Sequence, residues 1–121
     1  GCFTIKHGEV LPVFTDELEE NVANLTYSMC QTDAFKHLFV KIIDLSAVDG
    51  AIVFTDGLIN PYRSLENFSS ALVKPVAAKL LSGKAEEIDC FITEMGAKIG
   101  IGDDVSVGIL LSHEIKSRYY K

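Results

Sequence analysis

The spacing of apolar residues changes character twice along this chain, and that restricts the folds open to it. Residues 2–14 and 51–55 have strand-like content, residues 68–99 carry helical spacing, and residues 105–111 return to a strand-like apolar run. Strands first, helices next and a strand last describe an α+β domain rather than a regular βαβ alternation. With 121 residues and no linker, repeat or low-complexity stretch, the chain reads as one folded unit, residues 1–121.

Residues 2–14 read as a hairpin. Cys2 to Lys6 alternates, His7-Gly8 offers a tight turn, and Glu9 to Phe14 returns. Pro12 places the return arm at a sheet edge, since proline cannot donate to a ladder. The acidic stretch 15–24 reads as a loop or one helical turn, and Leu25 to Cys30 as a strand. Phe35 to Leu45 favours strand by its β-branched and aromatic content, with helix as the alternative. Asp49-Gly50 signals a turn before Ala51–Thr55. Phe68, Leu72, Val73, Val76, Ala77, Leu80 and Leu81 then define a helix containing Pro75, which must kink it or start a second one. Ser82-Gly83 stops that helix. Ile88, Phe91, Ile92, Met95 and Ile99 form the stripe of the next, with Glu86 and Glu87 in its first turn and Gly100 and Gly102 beyond its end. The tail 114–121 reads as frayed.

Charge and cysteine usage exclude several functions. Asp and Glu number 17 against 11 Lys and Arg, a net charge of −6. An acidic surface repels nucleic-acid phosphates and anionic membranes. No apolar run is long enough to span a bilayer, and no signal peptide is visible. Cys2, Cys30 and Cys90 are too few and too scattered for a disulfide framework or a zinc site. They read as small buried hydrophobes in a reducing, cytoplasmic compartment. His7, His37 and His113 lack metal-ligand spacing, Ser28, Ser46 and Ser112 lack a nucleophile-elbow context, and no phosphate-loop motif occurs.

Two acidic motifs remain. In Ile52-Val53-Phe54-Thr55-Asp56-Gly57 an apolar strand ends in an acid followed by glycine. In Gly102-Asp103-Asp104-Val105-Ser106-Val107 a glycine turn delivers an acid pair to the head of a strand. Carboxylates projecting from rigid strand ends suit a hard divalent ion, and an adjacent glycine lets the backbone pass close to it. Asp-Gly is also an ordinary turn dipeptide, and either motif alone can simply cap a strand or turn.

In this order and spacing the two motifs resemble the metal-dependent Ser/Thr protein phosphatases, protein phosphatase type 2C, and most closely their bacterial branch. Phe54-Thr55-Asp56-Gly57-Leu58 resembles the family's apolar strand ending Thr/Ser-Asp-Gly. Asp103-Asp104-Val105-Ser106-Val107 resembles its late Asp-Asp or Asp-Asn motif. Asn24-Leu25-Thr26 resembles a segment found before a strand in the bacterial branch, and Gly1 to Ile5 begins where an upstream Gly-Asp-Gly would end. The resemblance covers residues 1 to about 111.

It implies a sandwich of two antiparallel sheets flanked by helices, of which this chain would form a partial αββα sandwich. It also implies a site with two Mn²⁺ or Mg²⁺ ions and a metal-bound water that attacks a phosphoprotein's phosphorus in line. Asp56 and Asp103 would be metal ligands, with Gly57 beside the first and Asp104 orienting the second. Nothing in residues 1–50 matches the family's first-strand acid, its metal-bridging Asp-Gly or its phosphate-binding Arg. The chain therefore reads as the C-terminal part of a phosphatase domain, with no catalytic residue of its own and inactive in isolation. Its partners would be the N-terminal half of the domain, the phosphoprotein substrate and, by an uncovered sheet face, a second copy of itself. Two alternatives stand beside this: a non-catalytic binding or regulatory module on the same fold, and an unrelated α+β domain whose acids only cap strands.

Overall fold

The computed structural model describes residues 1–14, 30, 32, 36, 40–99 and 105–120. Four strands, β1 (Cys2–Lys6), β2 (Glu9–Pro12), β3 (Gly50–Phe54) and β4 (Val107–Leu111), form one antiparallel sheet in the order β2-β1-β3-β4. The helices are α1 (Asp56–Ile59), α2 (Leu65–Phe68), α3 (Lys74–Leu81), α4 (Glu86–Ile99) and α5 (His113–Tyr119), with a π turn over Ser69–Val73 joining α2 to α3. This is the expected α+β class. The expected strand over Leu25–Cys30 falls almost wholly outside the described residues.

The hairpin forms as read, with Pro12 on the edge strand. His7 and Gly8 both take positive φ, 51° and 80°, the primed turn that matches strand twist. The amide of His7 donates to Asp49 Oδ2 at 2.6 Å, while Asp49 N–H donates to Ile5 O at 2.7 Å and Asp49 O accepts from Ser112 N–H at 2.9 Å. Asp49 thus ties the hairpin turn, β3 and the end of β4 together. A Cβ on Gly8 would meet nothing within 4 Å, so its backbone conformation alone resists substitution. Gly8→Ala is expected to cost about 1–2 kcal/mol, the penalty of left-handed backbone for an L-residue. A urea midpoint that falls at unchanged slope checks this; an unmoved midpoint contradicts it.

Pro75 does not break the helix. Its ring would collide with the preceding turn of a regular helix. Just ahead of it the turn widens instead, with Lys74 N–H bonded to Ser69 O, five residues back. Helix α3 ends as read, at Ser82-Gly83. Gly83 has φ 75°, Gly83 N–H bonds Leu80 O at 3.3 Å and Lys84 N–H bonds Lys79 O at 2.9 Å, a left-handed C-terminal cap. Lys79 then reaches Glu87 of α4 at 2.6 Å and lies over the Phe91 ring. That ion pair holds the Glu87 carboxyl below the usual range.

Three expectations need correction. The tail read as frayed is helical from His113 to Tyr119. Ser112 caps it by accepting from Ile115 N–H, Ile115 is buried, and Tyr120 Oη donates to Leu80 O at 2.6 Å. The Phe35–Leu45 strand is not seen in its described part. Val40 and Ile42 are exposed, residues 40–44 are irregular, and Leu45–Ala47 forms a 3₁₀ turn capped by Asp44. Strand-like composition there lacks the alternation that would give it one buried face. Of the cysteines read as buried, Cys30 and Cys90 are exposed and only Cys2 is partly covered.

The core lies on one face of the sheet. Phe3, Ile5, Ile52 and Phe54 meet Leu58, Phe68, Leu72, Val73, Val76, Ala77, Leu80 and Ile88 of the helices. Phe68 is fully buried, with ring centroids 5.7 Å from Phe3, 5.3 Å from Phe54 and 5.3 Å from Tyr62. β3 alternates rather than being buried on both faces: Ile52 and Phe54 are inside, whereas Val53 is 47% exposed. On that opposite face, register aligns Leu11, Thr4, Ala51 and Leu110, and beside them Cys2, Val53 and Gly108. Leu11 and Leu110 there are 50% and 64% exposed. The second sheet of the expected sandwich is not among the described residues.

Candidate functional site

Strand β3 leaves the sheet at Thr55 and turns directly into α1, whose first residue is Asp56. The turn is driven by burial, because Gly57 and Leu58 swing inward onto the core. Asp56 is left exposed at the end of the central strands.

Two other segments reach the same edge. Gly1 N–H donates to Phe54 O at 2.8 Å and Phe54 N–H donates back to Gly1 O at 2.8 Å, so β1 extends alongside β3. Gly1 also lies against Ile59 of α1, whose Cδ1 would be 2.5 Å from a Cβ at that position. On the other side Thr55 N–H donates to Ser106 O at 3.1 Å, and Ser106 N–H donates to Thr55 Oγ1 at 3.0 Å. Thr55 stands where a helix-capping hydroxyl is expected, and its carbonyl accepts from Leu58 N–H at 3.3 Å, yet its side chain makes no cap hydrogen bond. Its hydroxyl serves the approach to β4 instead.

Of the acids singled out from the sequence, Asp56 is therefore placed, with Gly57 buried behind it. Asp103 and Asp104 lie outside the described residues, as does Asn24-Leu25-Thr26. An exposed carboxylate on a strand end suits a hard divalent ion, and Asp56 fits the role of one ligand. Among the described residues no group of three His, Cys, Asp or Glu comes together, so they do not complete a metal site.

The remaining polar candidates have structural partners. Ser46 donates to Asp44 Oδ1 at 2.7 Å, which holds the Asp44 carboxyl below its ordinary range. Ser112 caps α5, and His7 occupies the hairpin turn. Burial pushes the Cys2 thiol up, away from the reactive thiolate. Burial likewise raises Tyr62, whose hydroxyl has no hydrogen-bond partner among the described residues. Sequence reasoning missed the Thr55–Ser106 pair. Its signal was a hydroxyl residue directly before the acid of the first motif and another two residues after the acid pair of the second.

A family model for protein phosphatase 2C matches residues 1–92. The chain belongs to the protein phosphatase 2C family, a generally metal-dependent phosphatase family. The matched span includes Thr55, Asp56 and Gly57 and ends before Asp103. No curated protein and no solved structure matches the chain. Among the described residues no helix is long and apolar enough to cross a membrane.

Proposed function

We propose that this chain supplies the C-terminal portion, including two acids, Asp56 and Asp103, of a Ser/Thr phosphoprotein phosphatase of the bacterial type. The Thr55–Ser106 pairing carries this reading, because it joins the Asp56 corner to the strand approach that follows Asp103. In that role Asp56 and Asp103 hold Mn²⁺ or Mg²⁺, Asp104 orients its neighbour, and Gly57 keeps the α1 corner compact. Two such ions supply Lewis-acid stabilisation of the phosphoryl oxygens and an activated water. The chain's own contribution is to hold charged oxygens on rigid strand ends, so that little reorganisation is needed at the reacting phosphate. The exposed cysteines fit a reducing, cytoplasmic setting.

A two-metal centre needs more carboxylates than Asp56 and Asp103. The 121-residue chain alone is expected to bind Mn²⁺ weakly and not to turn over p-nitrophenyl phosphate. Robust Mn²⁺-dependent hydrolysis by the purified chain would overturn the idea that it is part of a site. If metal neither binds nor matters in a complete domain, the non-catalytic reading takes its place.

The open sheet face supports a second element of the proposal. Leu11, Val53 and Leu110 stand exposed on the side of the sheet away from the helices. Covering apolar surface returns about 25 cal/mol per Å². In the complete domain the N-terminal half covers this face; in the isolated chain a second copy does. Light scattering at micromolar concentration is expected to give a mass above the 13.2 kDa monomer. A sharp monomer would remove self-association from the reading.

A further inference from the structure

The β3–β4 ladder does not stop where its backbone pairing stops. Phe54 pairs with Val107, and one residue further β3 bends into α1. There the Thr55 side chain replaces the main chain: Thr55 N–H still donates to Ser106 O, but Ser106 N–H finds Thr55 Oγ1. The hydroxyl also lies 3.5 Å from Ser106 O. The backbone can therefore turn away into α1 while Ser106 keeps its partner. A short side chain with an accepting oxygen close to the backbone can do this, and here the Thr55 hydroxyl stands where a strand carbonyl would have been.

We infer that Thr55 is a positioning residue, whose hydroxyl locks the Asp56 corner to the approach of β4 and so sets the affinity of the edge for a divalent cation. The role rests on the proposal that Asp56 is a metal ligand. Residues that orient metal ligands from behind change affinity about 10–100-fold when altered. Thr55 is itself exposed, so removal of its hydroxyl leaves the core intact.

The test uses the full 121-residue chain and Mn²⁺ alone, read by broadening of amide resonances in a titration, which detects weak binding. Without metal, the Ser106 amide is expected to exchange slowly in the wild type and in Thr55→Ser, and quickly in Thr55→Val. With Mn²⁺, Thr55→Val is expected to need about tenfold more metal for half-broadening, while Thr55→Ser stays within about twofold of the wild type. Asp56→Asn serves as the reference. If it leaves the titration unchanged, Asp56 is not a ligand, and the positioning role falls with that reading. If Asp56→Asn weakens binding and Thr55→Val does not, the positioning role alone is overturned. A Thr55→Ser variant as weak as Thr55→Val would overturn it too, because the methyl rather than the hydroxyl would then matter. A rapidly exchanging Ser106 amide in the wild type overturns it without any variant.

Discussion

Asp56→Asn and Asp103→Asn, each introduced into a complete phosphatase domain carrying this chain, are expected to lower kcat/KM for a phosphopeptide more than about 100-fold. The physical basis is that each change removes a charged oxygen at nearly constant volume. Altering groups that merely support metal ligands costs about 10–100-fold, so losing a ligand itself should exceed that range. Asp56 is exposed at a strand end and makes no contribution to the core, so its loss leaves the fold standing. Circular dichroism and the thermal midpoint should remain close to wild type while the Mn²⁺ requirement rises. Near-wild-type rates in both variants would show that these acids only cap a turn and a strand.

Phe68→Ala is expected to produce the largest loss of stability in the chain. Its ring sits between the sheet and the helices and touches the rings of Phe3, Phe54 and Tyr62. It is fully buried at the start of the widened π turn, so the helix cannot shift to fill the space without breaking that turn's bonds. Removing a buried Phe side chain costs about 3–5 kcal/mol, including the cavity it leaves. Against a total stability of about 5–15 kcal/mol this is a large share. The thermal midpoint should fall on the order of 10–20 °C. A drop of only a few degrees would show that the aromatic cluster repacks. Because Phe54 immediately precedes Thr55, the same variant should also loosen the Asp56 corner, visible as faster exchange of the Ser106 amide.

The family was legible in the sequence because its signals are local. A Thr-Asp-Gly after four apolar residues and an acid pair before another apolar run need no tertiary information to be seen. The hairpin was equally legible, since two adjacent residues able to take positive φ leave few alternatives to a tight turn. Where the pattern was compositional rather than periodic, it failed. Val40 and Ile42 look like strand residues but have no alternating partner, and no described element covers them. The tail misled for the opposite reason. Basic and aromatic residues at a chain end suggest fraying, yet Ile115 is buried and Tyr120 Oη bonds Leu80 O near the end of α3. Such contacts join residues 40 apart in sequence, and no local pattern encodes them.

By itself, then, the sequence determined the α+β class, the hairpin and both long helical stripes, because each depends on side-chain type at short spacing. Only the tertiary structure decided which end of the sheet gathers Gly1, Asp56 and Ser106. That outcome depends on strand order, and β3 lies between β1 and β4 although they are separated from it by tens of residues. Tertiary structure also decided the job of Thr55. Read locally, it is a helix cap; with β4 alongside, its hydroxyl meets a strand amide that the bending backbone of β3 has left behind. A backbone amide at a strand end is satisfied by protein or by water, and that of Ser106 takes Thr55 Oγ1 at 3.0 Å.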